Sequence, residues 1–433
     1  MDNEVFIDNK PQRLRNECED AVFIAITLGE HIMRSGGEIS RAEDTVRRVC
    51  LAYGAKAVDV IAILSVIVLS AEFENGTVNS SRRITEIGTH NLGRLSRLND
   101  LSRRICREKP SKEEFLEKLH SINEKSQVAI PVRIVGGIVA AVGFTVFFGG
   151  GWLDAIFSGL IAVPMTLMMF LLVNTKMNNI IAKFVVCLIG GILAVLVDKL
   201  GLGCNADKIM IGNIMNVISG VLLTNSFRDL FGGDIMSGFF RMCTAVLDAV
   251  GIALGYAVAI ITLGGITTMG EINWPISVIL IASTVATMGM ILQFGIEKRV
   301  IIWALISSIL CCAAYEASLE LGCGLFVASL IASAVAAAYS DFFAHFVKVP
   351  ATVLIIPAIV PLVPGGSLYY TMYCAVNSDM GNFASYGLNA LKIAVGLAIG
   401  VILVTAISRP INAYLAEKKS NQVKNNLYHK QGR

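Results

Sequence analysis

Residues 357–373 read PAIVPLVPGGSLYYTMY. The run is apolar enough for a membrane helix, yet it holds Pro357, Pro361, Pro364 and the adjacent pair Gly365 and Gly366. Proline removes a backbone donor and glycine frees φ, so the helix is expected to break here. A helix that only crossed a bilayer would need none of these residues. Broken backbone survives at membrane depth only where protein buries it or a wet cavity faces it. Slid back along the chain, the stretch lands on NVISGVLLTNSFRDL, residues 216–230. Without a gap, residues 217–255 then lie over residues 362–400 with nine identities. They are Gly220 with Gly365, Leu223 with Leu368, Asp234 with Asp379, Ala245 with Ala390, Ala249 with Ala394, Val250 with Val395, Gly251 with Gly396, Ala253 with Ala398, and Gly255 with Gly400. Membrane helices share a small alphabet. The paired aspartates and the motifs GIALG and GLAIG lift this match above that background and point to an internal repeat.

Composition sets the class. The chain has 433 residues, 55% hydrophobic and 16% charged, with a mean hydropathy of +0.66, which is the signature of a polytopic membrane protein. Residues 1–129 carry 39 of the charged residues and the remaining 304 residues only 30. The first segment is therefore expected to be a cytoplasmic domain of ordinary composition. Its polar start shows no signal peptide. A net charge of +3 without a basic, aromatic-interleaved stripe argues against a nucleic-acid partner. The ten cysteines form no CxxC pair, and HExxH, Walker A and GxGxxG sequences are absent. No catalytic residue, cofactor or metal is expected; the expected partners are a small-molecule substrate and the lipid bilayer, and assembly into a homo-oligomer stays open.

A bilayer core needs about 20 apolar residues in a helix. Ten segments qualify, near residues 130–149, 153–173, 180–198, 209–224, 239–264, 275–295, 300–316, 323–340, 350–370 and 386–408. Basic residues favour cytoplasmic connections. Lys176, Lys183, Arg228, Arg241, Lys298, Arg299, Lys348 and the tail would lie inside, and Asp154, Asp198, Asp207 and Lys208 in outer loops. The expectation is a multi-pass plasma-membrane protein with both termini cytoplasmic. It has four parts: an α+β domain at 1–129, five-helix repeats at 130–268 and 269–410, and a tail at 411–433. Five is odd, so two copies joined head to tail must cross in opposite senses. That is the inverted arrangement of many secondary transporters, with substrate bound between repeats near mid-membrane.

The candidate substrate-binding residues follow from the two matching stretches. The second offers Pro361, Pro364, Gly365, Gly366, Ser367 and Tyr370; the first offers Asn213, Asn216, Ser219, Gly220, Thr224, Asn225 and Arg228. Polar residues three apart share a helix face, and either line a cavity or bond between helices. Asp248, inside the fifth span, is the candidate for a coupling proton, because charge at membrane depth is costly. Lys392 can snorkel to the surface. The GxxxG pairs read as close-packing surfaces.

In the first domain, Gly36 and Gly37 are followed by Ser40 as an N-cap, with Glu43 completing a capping box. A β-branched run with an Asn75 and Gly76 turn reads as a hairpin. The segments GGEISRAEDTVRRVCLAYGA, NLGRLSRLNDLSRRI and GGGWLDAIFSGL resemble the threonine/serine exporter family. So do VLLTNSFRDLFGGDIMSGFFRM and PAIVPLVPGGSLYYTMYCAV, over a match from about residue 21 to 407. The resemblance is to the fused form; related two-chain members are associated with succinate export. It implies a ten-span secondary exporter driven by the proton gradient, and it brings no established site residues. The alternatives are succinate as the solute, a channel, or a membrane-anchored enzyme or regulator. The last would act through the first domain and its cluster of Glu38, Arg41, Glu43 and Asp44.

Overall fold

The computed structural model describes residues 10–84, 91–175, 177–218, 220–231, 233–264 and 272–431. The chain divides into two compact units, residues 1–132 with 292–298, and residues 133–291 with 299–433.

The first unit is an α+β domain. Helices α1 (Lys10–Arg34) and α2 (Ile39–Ala52) precede an antiparallel meander of β1 (Ala57–Ile63), β2 (Val66–Phe73) and β3 (Gly76–Arg83); α3 (Leu92–Glu108) and α4 (Lys112–Lys125) follow. Alternation along β1 and β2 buries Val58, Val60, Ile67 and Leu69, which share the core with Ile24, Leu28, Val46 and Leu95. Each such aliphatic side chain contributes about 1.5–3 kcal/mol on burial. The Asn75 and Gly76 turn forms as expected, with Phe73 paired to Gly76 and Gly76 at φ +128°. The α2 cap differs from expectation. Glu38 occupies the N-cap, Ser40 lies within the helix, and the Glu43 carboxylate accepts from the Ala62 N–H at 2.8 Å. Tertiary pairing to β1 has replaced the local capping box.

Segment 292–298 belongs to this unit through α3. The Leu92 N–H donates to the Phe294 carbonyl at 3.0 Å, and Arg97 pairs with Glu297 at 3.4 Å. A Cβ on Gly93 would lie 1.9 Å from the Gly295 carbonyl oxygen, so only glycine fits there.

His31 in α1 lies with Nδ1 2.5 Å from Arg94 Nη2. Burial, then Arg94, Arg34 and Arg82, push its pKa down to about 4. The unfolded chain therefore takes up this proton first as pH falls below the ordinary value of 6.5. Stability from this group is complete at neutral pH, declines from pH 6.5 towards 4 and is flat below. With allowance for partial exposure the loss is about 2 kcal/mol. Unfolding followed at pH 7, 5.5 and 4 should show it as a difference between the wild type and His31→Gln, which keeps a polar group but cannot be protonated. Parallel curves would contradict it.

The second unit is helical: α5 (Ile130–Phe147), α6 (Trp152–Asn174), α7 (Asn179–Lys199), α8 (Ala206–Val217), α9 (Gly220–Phe231) and α10 (Ile235–Thr262). Then come α11 (Ile276–Gln293), α12 (Lys298–Glu320), α13 (Leu325–Val347), α14 (Thr352–Ile359), a 3-10 turn (Val360–Leu362), α15 (Gly365–Val376) and α16 (Met380–Gln431). Among the described residues eight helices are long and apolar enough to cross a membrane, and α14 to α15 form a ninth candidate bent by 42°. The expected fourth span, 209–224, is not one continuous helix. It is divided at Ile218 into α8 and α9, and at about 1.5 Å per residue neither 12-residue piece crosses alone.

Element starts recur along the chain. The starts of α5, α6, α7 and α8 (Ile130, Trp152, Asn179 and Ala206) return at one constant spacing as those of α11, α12, α13 and α14 (Ile276, Lys298, Leu325 and Thr352). Gly220 of α9 and Ile235 of α10 return as Gly365 of α15 and Met380 of α16, with a spacing shorter by a single position. Close contacts recur as well. Cβ atoms on Gly251 and Gly255 of α10 would meet the Ile180 and Phe184 carbonyl oxygens of α7 at 2.8 and 2.4 Å. Those on Gly396 and Gly400 of α16 would meet the Phe326 and Leu330 carbonyl oxygens of α13 at 2.6 and 2.3 Å. GIALG and GLAIG thus do the same packing work. Where α5 crosses α11, Gly143 sits on the Ala286 backbone and Gly289 on the Ala140 backbone. At the spacing of the helix starts Gly143 corresponds to Gly289 and Ala140 to Ala286, so the contact is reciprocal.

Candidate functional site

Two interruptions divide helices of the helical unit. At the first, Ile218 is extended (φ −70°, ψ 132°) between α8 and α9. At the second, Val363 is extended (φ −56°, ψ 133°), Pro364 occupies the N-cap, and α15 restarts at Gly365. Ile218 and Val363 are separated by the same stretch of chain as Gly220 and Gly365, so the breaks occupy matching places. Pro361, in the first turn of the 3-10 segment, and Pro364 mark the end of α14 as expected, whereas Pro357 lies inside α14 and does not break it. Residues 352–366 are buried throughout, so the break is encased in protein.

The second break packs on α8. A Cβ on Gly365 would fall 2.2 Å from Met215 Sδ, and one on Gly366 would lie 3.1 Å from the Phe148 ring. Tyr369 is buried, with its hydroxyl 3.7 Å from Met210 Sδ. One turn towards the start of α8, Tyr370 donates to Asp207 Oδ2 at 3.3 Å and accepts from Lys208 Nζ at 3.1 Å. Ser367 is half-buried, and its carbonyl accepts from the Thr371 hydroxyl.

The first stretch is more divided. Asn213 Nδ2 donates to the Ser158 carbonyl and hydroxyl at 3.2 and 3.0 Å and to the Ile209 carbonyl at 3.0 Å. Its Oδ1 is buried and has no hydrogen-bond partner among the described residues. Asn216 donates to the Gly137 carbonyl of α5 at 3.1 Å. Both amides therefore tie α8 to its neighbours. Gly220 and Thr224 lie in α9, where Asn225 is buried and Arg228 half-buried. Ser219 lies outside the described residues.

Asp248 is not at the breaks. It is buried between α10 and α7, 2.5 Å from Lys183 Nζ and 3.4 Å from Asn179 Nδ2. Lys183 is correspondingly a helix residue and not part of a connection. Arg241, also expected in a connection, lies in α10 and pairs with Asp229 of α9 at 2.9 Å, both largely buried. Asp154, Asp207 and Lys208, expected in outer loops, are each at most 3% exposed. Asp154 accepts from the Gly151 N–H at 2.8 Å and the Asn205 N–H at 2.7 Å. Counting basic residues for orientation hid these charges; their signal was position within, or one turn from, an apolar run.

A groove of about 470 Å³ opens beside Ile218, lined chiefly by Ala249, Val250, Ala253, Leu368 and Met372. Its wall is too apolar to hold a charged metabolite.

Residues 23–264 match the family model described as "Putative threonine/serine exporter", and residues 279–407 match that described as "Threonine/Serine exporter, ThrE". The chain is similar to a threonine/serine exporter of Corynebacterium glutamicum, with 24% identity over 92% of this chain and 86% of that one. It is also similar to an uncharacterized protein of Schizosaccharomyces pombe, with 21% identity over 75% of this chain and 43% of that protein. No solved structure matches the chain.

Proposed function

The chain belongs to the threonine/serine exporter family, and on that premise we propose that it carries threonine and serine out across the plasma membrane as a proton-coupled secondary carrier. The observation that carries this reading is the recurrence of one helix break, at Ile218 and again at Val363, on the same packing frame. Discontinuous helices paired across a repeat interface are the binding architecture of secondary carriers. The reciprocal contact of Gly143 with Ala286 and Gly289 with Ala140 is what a two-fold axis between the halves would produce.

Parity supports an inverted pair. Residues 292–298 belong to the same compact unit as the N-terminal domain, so an even number of crossings separates them from residue 132. Helices α5, α6, α7, α10 and α11 supply five. The sixth is then α8 with α9, a broken span like α14 with α15. Each half has five crossings, the halves have opposite senses, and both termini lie on the cytoplasmic side. Substrate would pass between the breaks, past Asn225 and Arg228 inside and Tyr370 outside, and Asp248 would take the coupling proton from its pairing with Lys183.

Purified protein in liposomes tests the proposal by movement of labelled threonine, serine and succinate, with and without a pH gradient. Saturable threonine and serine movement stimulated by the gradient is expected. Unsaturable flux, or none from folded protein, would overturn it. Replacing the two prolines together, Pro361→Ala with Pro364→Ala, should reduce transport roughly tenfold or more while the chain still inserts, since each ring fixes backbone at the break. Normal transport by that variant would remove the break from the mechanism.

A further inference from the structure

We infer that Asp207, Lys208 and Tyr370 form a station that binds the zwitterionic head of the transported amino acid, an inference that rests on the exporter reading. Asp207 and Lys208 are consecutive residues in the first turn of α8, and each is 3% exposed. Their opposite charges lie 3.8 Å apart, with the Tyr370 hydroxyl between them, accepting from lysine and donating to aspartate. The second carboxylate oxygen, Asp207 Oδ1, is buried and has no hydrogen-bond partner among the described residues. A buried carboxylate with one oxygen unsatisfied is costly to maintain.

An α-amino acid presents an ammonium and a carboxylate on one carbon. Asp207 Oδ1 is an acceptor for the first, and the Lys208 ammonium is a donor for the second. The start of α8 adds backbone donors and the positive end of the helix dipole. The Asn205 side chain makes no capping bond there. Tyr370 belongs to α15, so residues of both halves meet at the station, and its ring is held by stacking on Tyr386 at 5.1 Å. Packing does not require these charges: at the matching place in α14 stand Val353 and Leu354, both buried. A station reading only the head group treats threonine and serine alike.

The test is competition against labelled threonine on the full-length purified protein. The competitors are threonine, threoninamide, which lacks the carboxylate charge, and 2,3-dihydroxybutyrate, which has hydroxyl in place of ammonium. Wild type should prefer threonine to either analogue by roughly tenfold or more. Lys208→Gln should lose the preference over threoninamide, and Asp207→Asn the preference over dihydroxybutyrate. Tyr370→Phe keeps the ring stack and should weaken threonine several-fold; it serves if either charge variant fails to fold. Lys208→Arg should retain the preference over threoninamide. Wild-type selectivity in folded Lys208→Gln and Asp207→Asn overturns the station, even where their transport rate changes, which would make the trio a latch. A wild type that binds neither threonine nor serine overturns the exporter reading itself.

Discussion

Lys183→Met alone should destabilise the folded protein by about 3–5 kcal/mol, and Asp248→Leu alone by a similar amount, because each leaves the other charge buried without its counter-ion. The pair lies 2.5 Å apart, with both residues at most 3% exposed. Its surroundings are the glycine-mediated contact of α7 with α10, where Gly251 and Gly255 bring the helices too close for water to replace a lost partner. The double variant, with Lys183→Met and Asp248→Leu together, should recover most of the loss, since a buried ion pair replaced by apolar groups of similar volume is often neutral or stabilising. Unfolding of all three variants in detergent checks this; additive losses would contradict it. Stability and coupling then separate. If Asp248 carries the coupling proton, the double variant folds but no longer responds to a pH gradient in liposomes. A double variant that folds and still responds would take Asp248 out of the coupling step. At the repeat spacing the second half places Ser329 and Ile393 where the first has Lys183 and Asp248. The frame is thus built without an ion pair in one half, so packing alone does not account for its presence in the other.

What could be read in the sequence was what depends on backbone chemistry and periodicity. Pro361, Pro364 and Gly365 announced the second break, since ring closure and a missing Cβ act locally whatever surrounds them. The first break was less legible. Ile218 carries no breaking chemistry of its own, so its extended conformation has no local signal of the kind that proline supplies at the second break. The match of GIALG to GLAIG located the helix contacts, because a glycine spacing of four has meaning only as a packing ridge. Charges were the weakest part of the reading. Lys183, Asp207, Lys208 and Arg241, at or near the ends of apolar runs, were assigned to connections by charge asymmetry, and all four are buried. One helical turn separates a loop charge from a buried one, which is within the error of any span boundary. The capping box at Ser40 failed for a related reason: Glu43 had a partner in β1 that local pattern cannot supply.

Gly143→Ala and Gly289→Ala should each destabilise the protein by about 2–3 kcal/mol, and by similar amounts. A methyl on Gly143 would lie 2.4 Å from the Ala286 nitrogen; one on Gly289 would lie 2.3 Å from the Ala140 nitrogen. In both cases the obstacle is the backbone of a membrane helix, which cannot rotate aside as a side chain would, so α5 and α11 must separate as rigid rods. Separating them at one glycine opens the contact at the other, because each glycine lies within one turn of the alanine that the other covers and both belong to one crossing. The double variant should therefore cost clearly less than the sum of the singles, as residues sharing one contact do. Thermal unfolding of the three variants in detergent gives the comparison directly. Unequal single effects would break the equivalence of the halves. Equal and fully additive effects would mean that the two glycines sit in separate contacts, and the two-fold relation argued from their reciprocity would lose its strongest support.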